Sequence, residues 1–110
     1  MPANRTVTIT VLNGDGDINY DVSVLHVDGG DNMTWKAGPG TGPFGITFSP
    51  GTPLAAGGAT LASSGPNNDI VGTVKSGLQA GALYRYSVWA TYNGQQFTDP
   101  LCPELIIRTP

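Results

Sequence analysis

Apolar and polar residues alternate along several short segments of this 110-residue chain, with the two-residue period that is typical of β-strands. Near the start, Val7, Ile9 and Val11 alternate with Thr residues, so we expect these three side chains on one buried face. Residues 83–92 alternate over a longer stretch, with Tyr, Tyr, Val and Ala on one face. Both segments are therefore predicted to be strands.

The other segments with strand composition are shorter and are separated by turn-forming residues. Sixteen Gly and nine Pro residues provide frequent chain reversals, and Asn93-Gly94 is the favoured signal for a two-residue hairpin. The stretch 33–53 is the least regular, because its residues 37–43 are rich in Gly and Pro and are predicted to form a loop. The remaining predicted strands are 18–27, 33–35, 45–48, 59–63, 70–74 and a last strand in two parts, 95–98 and 105–108, which Pro100 and Pro103 interrupt.

This spacing of short strands predicts the fold class. About seven to eight strands with turns every eight to twelve residues indicate an all-β protein, a two-sheet sandwich of immunoglobulin-like shape. The length is typical of one domain, residues 1–110, which buries enough surface to form a core without disulfide or metal. The single cysteine, Cys102, also excludes an internal disulfide.

The segment 77–90 resembles a corner and the strand after it in fibronectin type III and related immunoglobulin-like domains. In those domains a Leu lies six residues before a Tyr, with a Gly in the turn between them, and Leu78, Gly81 and Tyr84 occupy these places here. The resemblance implies a tyrosine corner, in which the Tyr hydroxyl bonds to backbone. Residues 99–104 are also similar to the signature of DP-EP, a small uncharacterised bacterial family, which implies no particular activity.

Charged residues make up only 12% of the chain, and the net charge is −3. Since Lys and Arg do not cluster, the sequence does not favour nucleic acid or an anionic membrane as a partner. No apolar run is long enough to be inserted across a membrane, and the first residues lack the pattern of a signal peptide. We therefore expect a cytoplasmic protein, with a surface or virion domain as the alternative.

Acidic residues near the first turns give the strongest pattern for a metal site. Asp15, Asp17 and Asp21 place oxygen atoms at alternate positions, as a calcium-binding EF-hand loop does. The pattern fails at Tyr20, where the loop needs Gly, and at His26, where it needs Glu. Because Asp residues in turns are explained by local hydrogen bonds, no metal site is predicted, and calcium binding by these three residues is left open.

The chain offers few groups for catalysis. His26 is its only histidine and Cys102 its only cysteine, and no Gly-x-Ser-x-Gly nucleophile motif occurs. A blue-copper site would need two His and a Cys, so this chain does not fit one. The sequence therefore predicts no enzyme activity, no catalytic residue and no cofactor.

Three aromatic residues, Trp35, Trp89 and Tyr92, are the candidate binding residues. Trp89 is predicted to face away from Tyr86 and Val88, so it is exposed unless loops cover that sheet face. An exposed Trp suggests a subunit interface or a binding platform. The first hypothesis is a non-enzymatic protein-interaction or structural module, homo-oligomeric, that uses a strand edge or the Trp89 face. The alternative is a sandwich that binds carbohydrate or another small ligand through Trp35 and the end loops.

Overall fold

The structure is a computed structural model, and it describes residues 3–11, 18–49, 51–55, 58–64, 68–99 and 103–109. Within these ranges the chain forms ten β-strands and no helix, arranged in two sheets with the core between them. The predicted all-β, two-sheet sandwich is confirmed, and it has more strands than the sequence predicted. They are β1 (Asn4–Val11), β2 (Ile18–Tyr20), β3 (Val24–Asp28), β4 (Asn32–Ala37), β5 (Phe44–Ser49), β6 (Thr60–Ala62), β7 (Asp69–Thr73), β8 (Leu83–Tyr92), β9 (Gln95–Asp99) and β10 (Glu104–Thr109).

Each sheet combines one parallel strand pair with antiparallel pairs. The four-stranded sheet has the order β2-β1-β4-β7, and β1 and β4 run parallel from Asn4 opposite Asn32 to Ile9 opposite Ala37. The six-stranded sheet has the order β3-β10-β8-β5-β6, with β9 also paired to β8. In this sheet β3 and β10 are the parallel pair. The two edges β2 and β3 are consecutive in the chain, so they lie on the same side of the sandwich.

The prediction of one continuous strand over 18–27 is wrong, because the chain changes sheet within it. β2 pairs with β1 in the four-stranded sheet, whereas β3 pairs with β10 in the other. Asp21 directly follows β2, and its carboxylate accepts a hydrogen bond from the Thr8 amide at 2.8 Å. Leu25 and Val27 face the core because they now belong to the opposite sheet. In the sequence, this change is visible as a change in which alternate positions are apolar, from Ile18 and Tyr20 to Leu25 and Val27.

The core is formed by apolar side chains from both sheets. The prediction for β1 is confirmed, since Val7, Ile9 and Val11 are all buried. Each buried aliphatic or aromatic side chain contributes about 1.5–3 kcal/mol relative to an exposed one, so this core is the main source of stability. The other buried apolar side chains are Val27, Met33, Trp35, Phe44, Ile46, Phe48, Leu54, Ile70, Val74, Tyr86, Val88, Ala90, Leu105 and Ile107.

The Gly- and Pro-rich loop after β4 carries the chain from the four-stranded to the six-stranded sheet. The Gly38 amide donates to a β1 carbonyl at 2.7 Å, and the Thr41 hydroxyl accepts a hydrogen bond from the Val11 amide at 2.9 Å. At its other end the Gly42 amide donates to the Thr91 carbonyl at 2.9 Å. The loop is thus bonded to both sheets, which gives the irregular stretch a fixed course.

The C-terminal third follows the sequence prediction closely. β8 covers the predicted residues, and the hairpin after it has positive φ at Asn93 (51°) and Gly94 (77°). Gly81 also has a positive φ, 85°, in the turn before β8. Leu78 and Tyr84, on either side of that turn, are half-buried and pack against the core.

The turn between β3 and β4 is held by the buried carboxylate of Asp31. One oxygen accepts a hydrogen bond from the Ala3 amide at 2.9 Å, and the other accepts from the Asp28 amide at 2.9 Å and from Arg5 Nε at 3.0 Å. Burial alone would raise the pKa of Asp31, but these hydrogen bonds and the Arg5 charge outweigh it and lower the pKa below 3.8. Asp31 is therefore a stable anion that joins three chain segments.

Candidate interaction surface

The outer face of the six-stranded sheet consists of every second side chain along each strand, those that point away from the core. The strand registers identify its members, because neighbours that are directly paired point to the same side. These residues are exposed or half-buried, except for Gly45, which is buried. The outer face comprises Val24, His26, Gly45, Thr47, Ser49, Thr60, Ala62, Leu83, Arg85, Ser87, Trp89, Thr91, Gln96, Thr98, Glu104 and Ile106.

The most apolar part of this face lies at its β3 side. We define the β3 margin as Val24 and His26 on β3 with their partners Glu104 and Ile106 on β10. Val24 is 45% exposed, and Leu83, opposite Ile106 on β8, is also 45% exposed. Single exposed apolar side chains are ordinary, but here Val24 and Leu83 lie on the two strands on either side of the half-buried Ile106.

The charged residues at this end of the face form ion pairs with one another. Arg85 Nε donates to the Glu104 carboxylate at 2.8 Å, and Arg108 Nε donates to the Asp28 carboxylate at 3.0 Å. The hydrogen bond to Asp28 and the negative charge of the Asp28 carboxylate raise the pKa of Arg108. Because positive and negative groups match, a copy of this region meets no large like-charge repulsion.

Trp89 is half-buried and faces away from the core, as the alternation predicts. Its indole lies over Gly45, the residue directly opposite it on β5. A Cβ atom added to Gly45 would lie only 2.2 Å from the indole Nε1 atom, so this position requires Gly while the ring is there. An aromatic ring that covers a strand Gly compensates for the missing side chain.

A shallow depression of about 240 Å³ lies on the same face, and it begins at the pair of Thr47 and Ser87, one row of the sheet from Trp89. Thr47, Ser49 and Ser87 line it with hydroxyl groups, and Arg85 lies at its end. Thr47 is opposite Ser87, and Ser49 is opposite Arg85, so two rows of the sheet form the depression. It offers hydroxyl and guanidinium groups on the face that also carries the Trp89 ring.

Trp35 does not lie on this surface, which corrects its prediction as a binding residue. It is completely buried, and its ring meets those of Phe48 and Tyr86 edge-on at centroid distances of 6.1 and 5.9 Å. Its indole N–H makes no hydrogen bond with any described residue. The indole is nevertheless close enough to the Tyr86 hydroxyl to lower the pKa of that group slightly. Burial dominates at Tyr86 and raises its pKa to about 12. Trp35, Phe48 and Tyr86 are therefore core residues.

Tyr92, the third candidate, lies at the end of β8 and is half-buried against the core. A Cβ atom on Gly40 would lie 3.6 Å from its ring, so Tyr92 packs beside the loop after β4. The structure therefore separates the three aromatic candidates. Trp35 is inside, Trp89 is on the outer face, and Tyr92 is at the hairpin end.

A second cavity, of about 280 Å³, lies where the chain passes from β2 to β3. Ile18, Val24 and Pro103 line it with apolar groups. At its edge the Tyr20 hydroxyl donates to the Asp99 carboxylate at 2.5 Å, which links β2 of one sheet to the end of β9 in the other. The cavity thus borders the β3 margin.

The remaining candidate metal and thiol positions are only partly described. Asp15, Asp17 and Cys102 lie outside the described residues, while Asp21 accepts the Thr8 amide hydrogen bond noted above. His26 is exposed on β3. The described ranges contain no group of three or more His, Cys, Asp or Glu side chains arranged to hold a metal ion. They also contain no helix that could span a membrane.

Sequence reasoning missed two features of this surface. Val24 lies within the segment 18–27, which the sequence predicts as one strand, and only the change of sheet after β2 places it on the outer face. Gly45 carried no signal, because the residue opposite it on β8 is not visible in the sequence. Leu83 could have been found, since the alternation of β8 puts it on the same side as Arg85.

Comparison with known proteins adds little to this description. No family model and no curated protein matches the chain. Among solved structures, a mutant of amicyanin, Cu(I), is similar at 19% sequence identity and a TM-score of 0.47, over 94% of this chain and 82% of that one.

Proposed function

We propose that this protein is a non-enzymatic interaction module that associates with a second copy of itself through the β3 margin. The observation that carries the proposal is Val24, a valine that is 45% exposed on an edge strand. Edge strands offer unpaired backbone groups, and most proteins protect them with charged residues or Pro. At this edge the exposed side chains are Val24 and His26, and the nearby charges are paired.

Chain composition supports the same proposal. The protein has few charged residues, so little like-charge repulsion keeps copies apart. Ile106 and Leu83 continue the apolar surface inward from Val24 along adjoining strands. The proposed immunoglobulin-like character, which rests on Leu78, Gly81 and Tyr84, is compatible with an interaction role because such domains commonly act as binding scaffolds. A cytoplasmic location remains part of this proposal.

A charge placed at the margin tests the proposal. We expect the protein to show concentration-dependent dimers in sedimentation velocity, and Val24→Lys to weaken the association about tenfold or more, since a Lys at an edge opposes pairing. Val71→Lys is the matched control, because Val71 is 69% exposed on β7 of the other sheet. A protein that stays monomeric up to millimolar concentration, or equal weakening by both variants, would contradict the proposal.

Carbohydrate binding is a second candidate, favoured by Trp89, which lies on the same sheet face as the depression and two residues along β8 from its Ser87. Sugar rings pack their C–H faces on aromatic rings, while their hydroxyls need hydrogen-bonding groups such as those of Ser87 and Arg85. The sequence hypothesis used Trp35 for this role, and Trp89 takes its place.

A glycan array followed by fluorescence titration of the best hit tests this candidate. We expect Trp89→Ala to weaken sugar binding about tenfold or more, and Leu83→Ala, which removes an exposed aliphatic side chain of the same strand and face but no aromatic ring, to leave it unchanged. Circular dichroism of both variants checks that the fold is kept. The candidate fails if the array shows no binding, or if Leu83→Ala has the larger effect.

A further inference from the structure

On the side that faces away from β10, no strand of the described residues pairs with the backbone of β3. The Glu104 amide donates to the Ser23 carbonyl at 2.8 Å, so Ser23 and Leu25 direct their backbone groups toward β10. The alternate residues, Val24 and His26, direct theirs away from the sheet. No described residue bonds to these outward groups.

The other edge strands are shorter, obstructed or polar. β2 and β6 have three residues each. β7 is bridged at both ends, at Asp69 by Ser64 and at Val74 by Leu54. β9 is as long as β3, but its exposed side chains are Gln and Thr. Among the described strands, β3 and β7 are both edges of five residues with an exposed apolar side chain, Val24 and Val71 respectively, but only β3 has no isolated bridge at its ends.

The outward groups at the end of β3 restrict how another strand can pair with it. The Asp28 amide donates to the Asp31 carboxylate, and the Asp28 carbonyl accepts from the Asp31 amide at 3.1 Å. These bonds occupy the backbone of Asp28, so an added strand can use only Val24 and His26. In an antiparallel pair, residues that exchange hydrogen bonds lie directly opposite each other.

We infer that two copies pair their β3 strands antiparallel, about a two-fold axis at Leu25. This register sets Val24 of each copy opposite His26 of the second copy, and both pairs exchange N–H to C=O hydrogen bonds. The inference rests on the proposed function and names its register and partner. The pairing of the two β3 strands joins two six-stranded sheets into one continuous sheet. This is a closed two-fold arrangement in which both partners use the same surface.

The side chains are compatible with this register. Leu25 faces the core side, is half-buried, and meets Leu25 of the second copy, so the pairing extends the apolar layer. On the outer side Val24 lies beside His26 of the second copy, and no two like charges are opposite each other. Any register centred elsewhere either requires the Asp28 backbone groups or leaves one of the open residues unpaired.

Disulfide trapping tests the register. Leu25→Cys in a Cys102→Ala background places two thiols at a non-hydrogen-bonded antiparallel pair, whose Cα separation suits a disulfide. We expect mild oxidation to convert most of this variant to a covalent dimer on a non-reducing gel. Leu61→Cys in the same background is the matched control, because Leu61 is a half-buried, inward-facing Leu on the edge strand β6, and it should remain monomeric.

A proline substitution gives an independent measurement of the same contact. His26→Pro removes an outward N–H and leaves the bonds between β3 and β10 intact, so we expect the dissociation constant to rise about tenfold or more in sedimentation velocity. Thr60→Pro removes the corresponding outward N–H on β6 and should leave the association unchanged. Circular dichroism confirms that each variant is folded.

The outcomes separate this inference from the proposed function. Dimers that form normally but resist both trapping at Leu25 and weakening by His26→Pro would overturn the register and leave self-association standing. A chain that is monomeric at every concentration would overturn both. Equal trapping of Leu25→Cys and Leu61→Cys would show random collision, which also overturns the register.

Discussion

At the scale of single residues, Asp31 shows how one side chain can define a connection between strands. Its two carboxylate oxygens accept three hydrogen bonds from Ala3, Arg5 and Asp28, and its side chain is 2% exposed. The sequence predicted only a turn at this point. The carboxylate replaces backbone partners that a tight turn leaves unsatisfied, so the anion is part of the fold.

Asp31→Asn is expected to destabilise the protein by about 2–3 kcal/mol at neutral pH, because the amide group presents a donor to a backbone N–H and loses the charge opposite Arg5. The lowered pKa of Asp31 gives the pH dependence. Its stabilising effect is present above the ordinary Asp pKa near 3.8 and is lost as the pH falls through the lower folded value.

Urea unfolding at neutral pH and in strong acid measures this difference. We expect the gap between wild type and Asp31→Asn to shrink in acid. Asp69→Asn is the control, because the Asp69 carboxylate forms no ion pair with a described Lys or Arg, and its effect should be small at both pH values. A gap for Asp31→Asn that is constant with pH would contradict the role of the charge.

At the scale of elements, the pairing of β5 with β8 depends on the contact between Gly45 and Trp89. The ring lies where a side chain on Gly45 would be, so strand register and residue choice are coupled. A Gly within a strand is ordinarily unfavourable, and the indole compensates by covering the backbone. This contact also holds Trp89 in place on the outer face.

Gly45→Ala is expected to displace the indole, lower the stability by about 1–2 kcal/mol and shift Trp89 fluorescence toward that of an exposed ring. In a Trp89→Ala background the same substitution should be neutral or stabilising, since Ala fits a strand better than Gly once the ring is gone. Chemical denaturation of the four proteins in this double-mutant cycle gives the coupling energy. Additive effects would mean that the two residues do not interact.

At the scale of the whole molecule, the links between sheets decide which surfaces are open. On one side the chain passes from β6 through Ser64, which bridges Asp69, and Leu54 bridges Val74, so the β7 edge is partly covered. On the other side it passes from β2 to β3, and the β3 edge has no comparable cover among the described residues. In the proposed self-association, this asymmetry directs the contact to the β3 side.

Most strands could be predicted, whereas the candidate surface could be predicted only in part. β1, β8 and the Asn93-Gly94 hairpin agree with the sequence because their signals are local: alternation and turn chemistry. Trp35 and Trp89 are both Trp residues in strands, yet one is in the core and the other on the outer face. Alternation relates residues within a strand, but an isolated short strand such as β4 gives no information about which face is inside.

The sequence by itself determined that this protein is an all-β sandwich, because the two-residue period and frequent turns are properties of neighbouring residues. Only the tertiary structure decided the change of sheet between β2 and β3, the burial of Trp35, and the cover of Gly45 by Trp89. Each of these depends on partners distant in the chain, and pairing between distant segments follows from packing both sheets around one core. The exposed position of Val24, and with it the proposed contact surface, is a consequence of that packing.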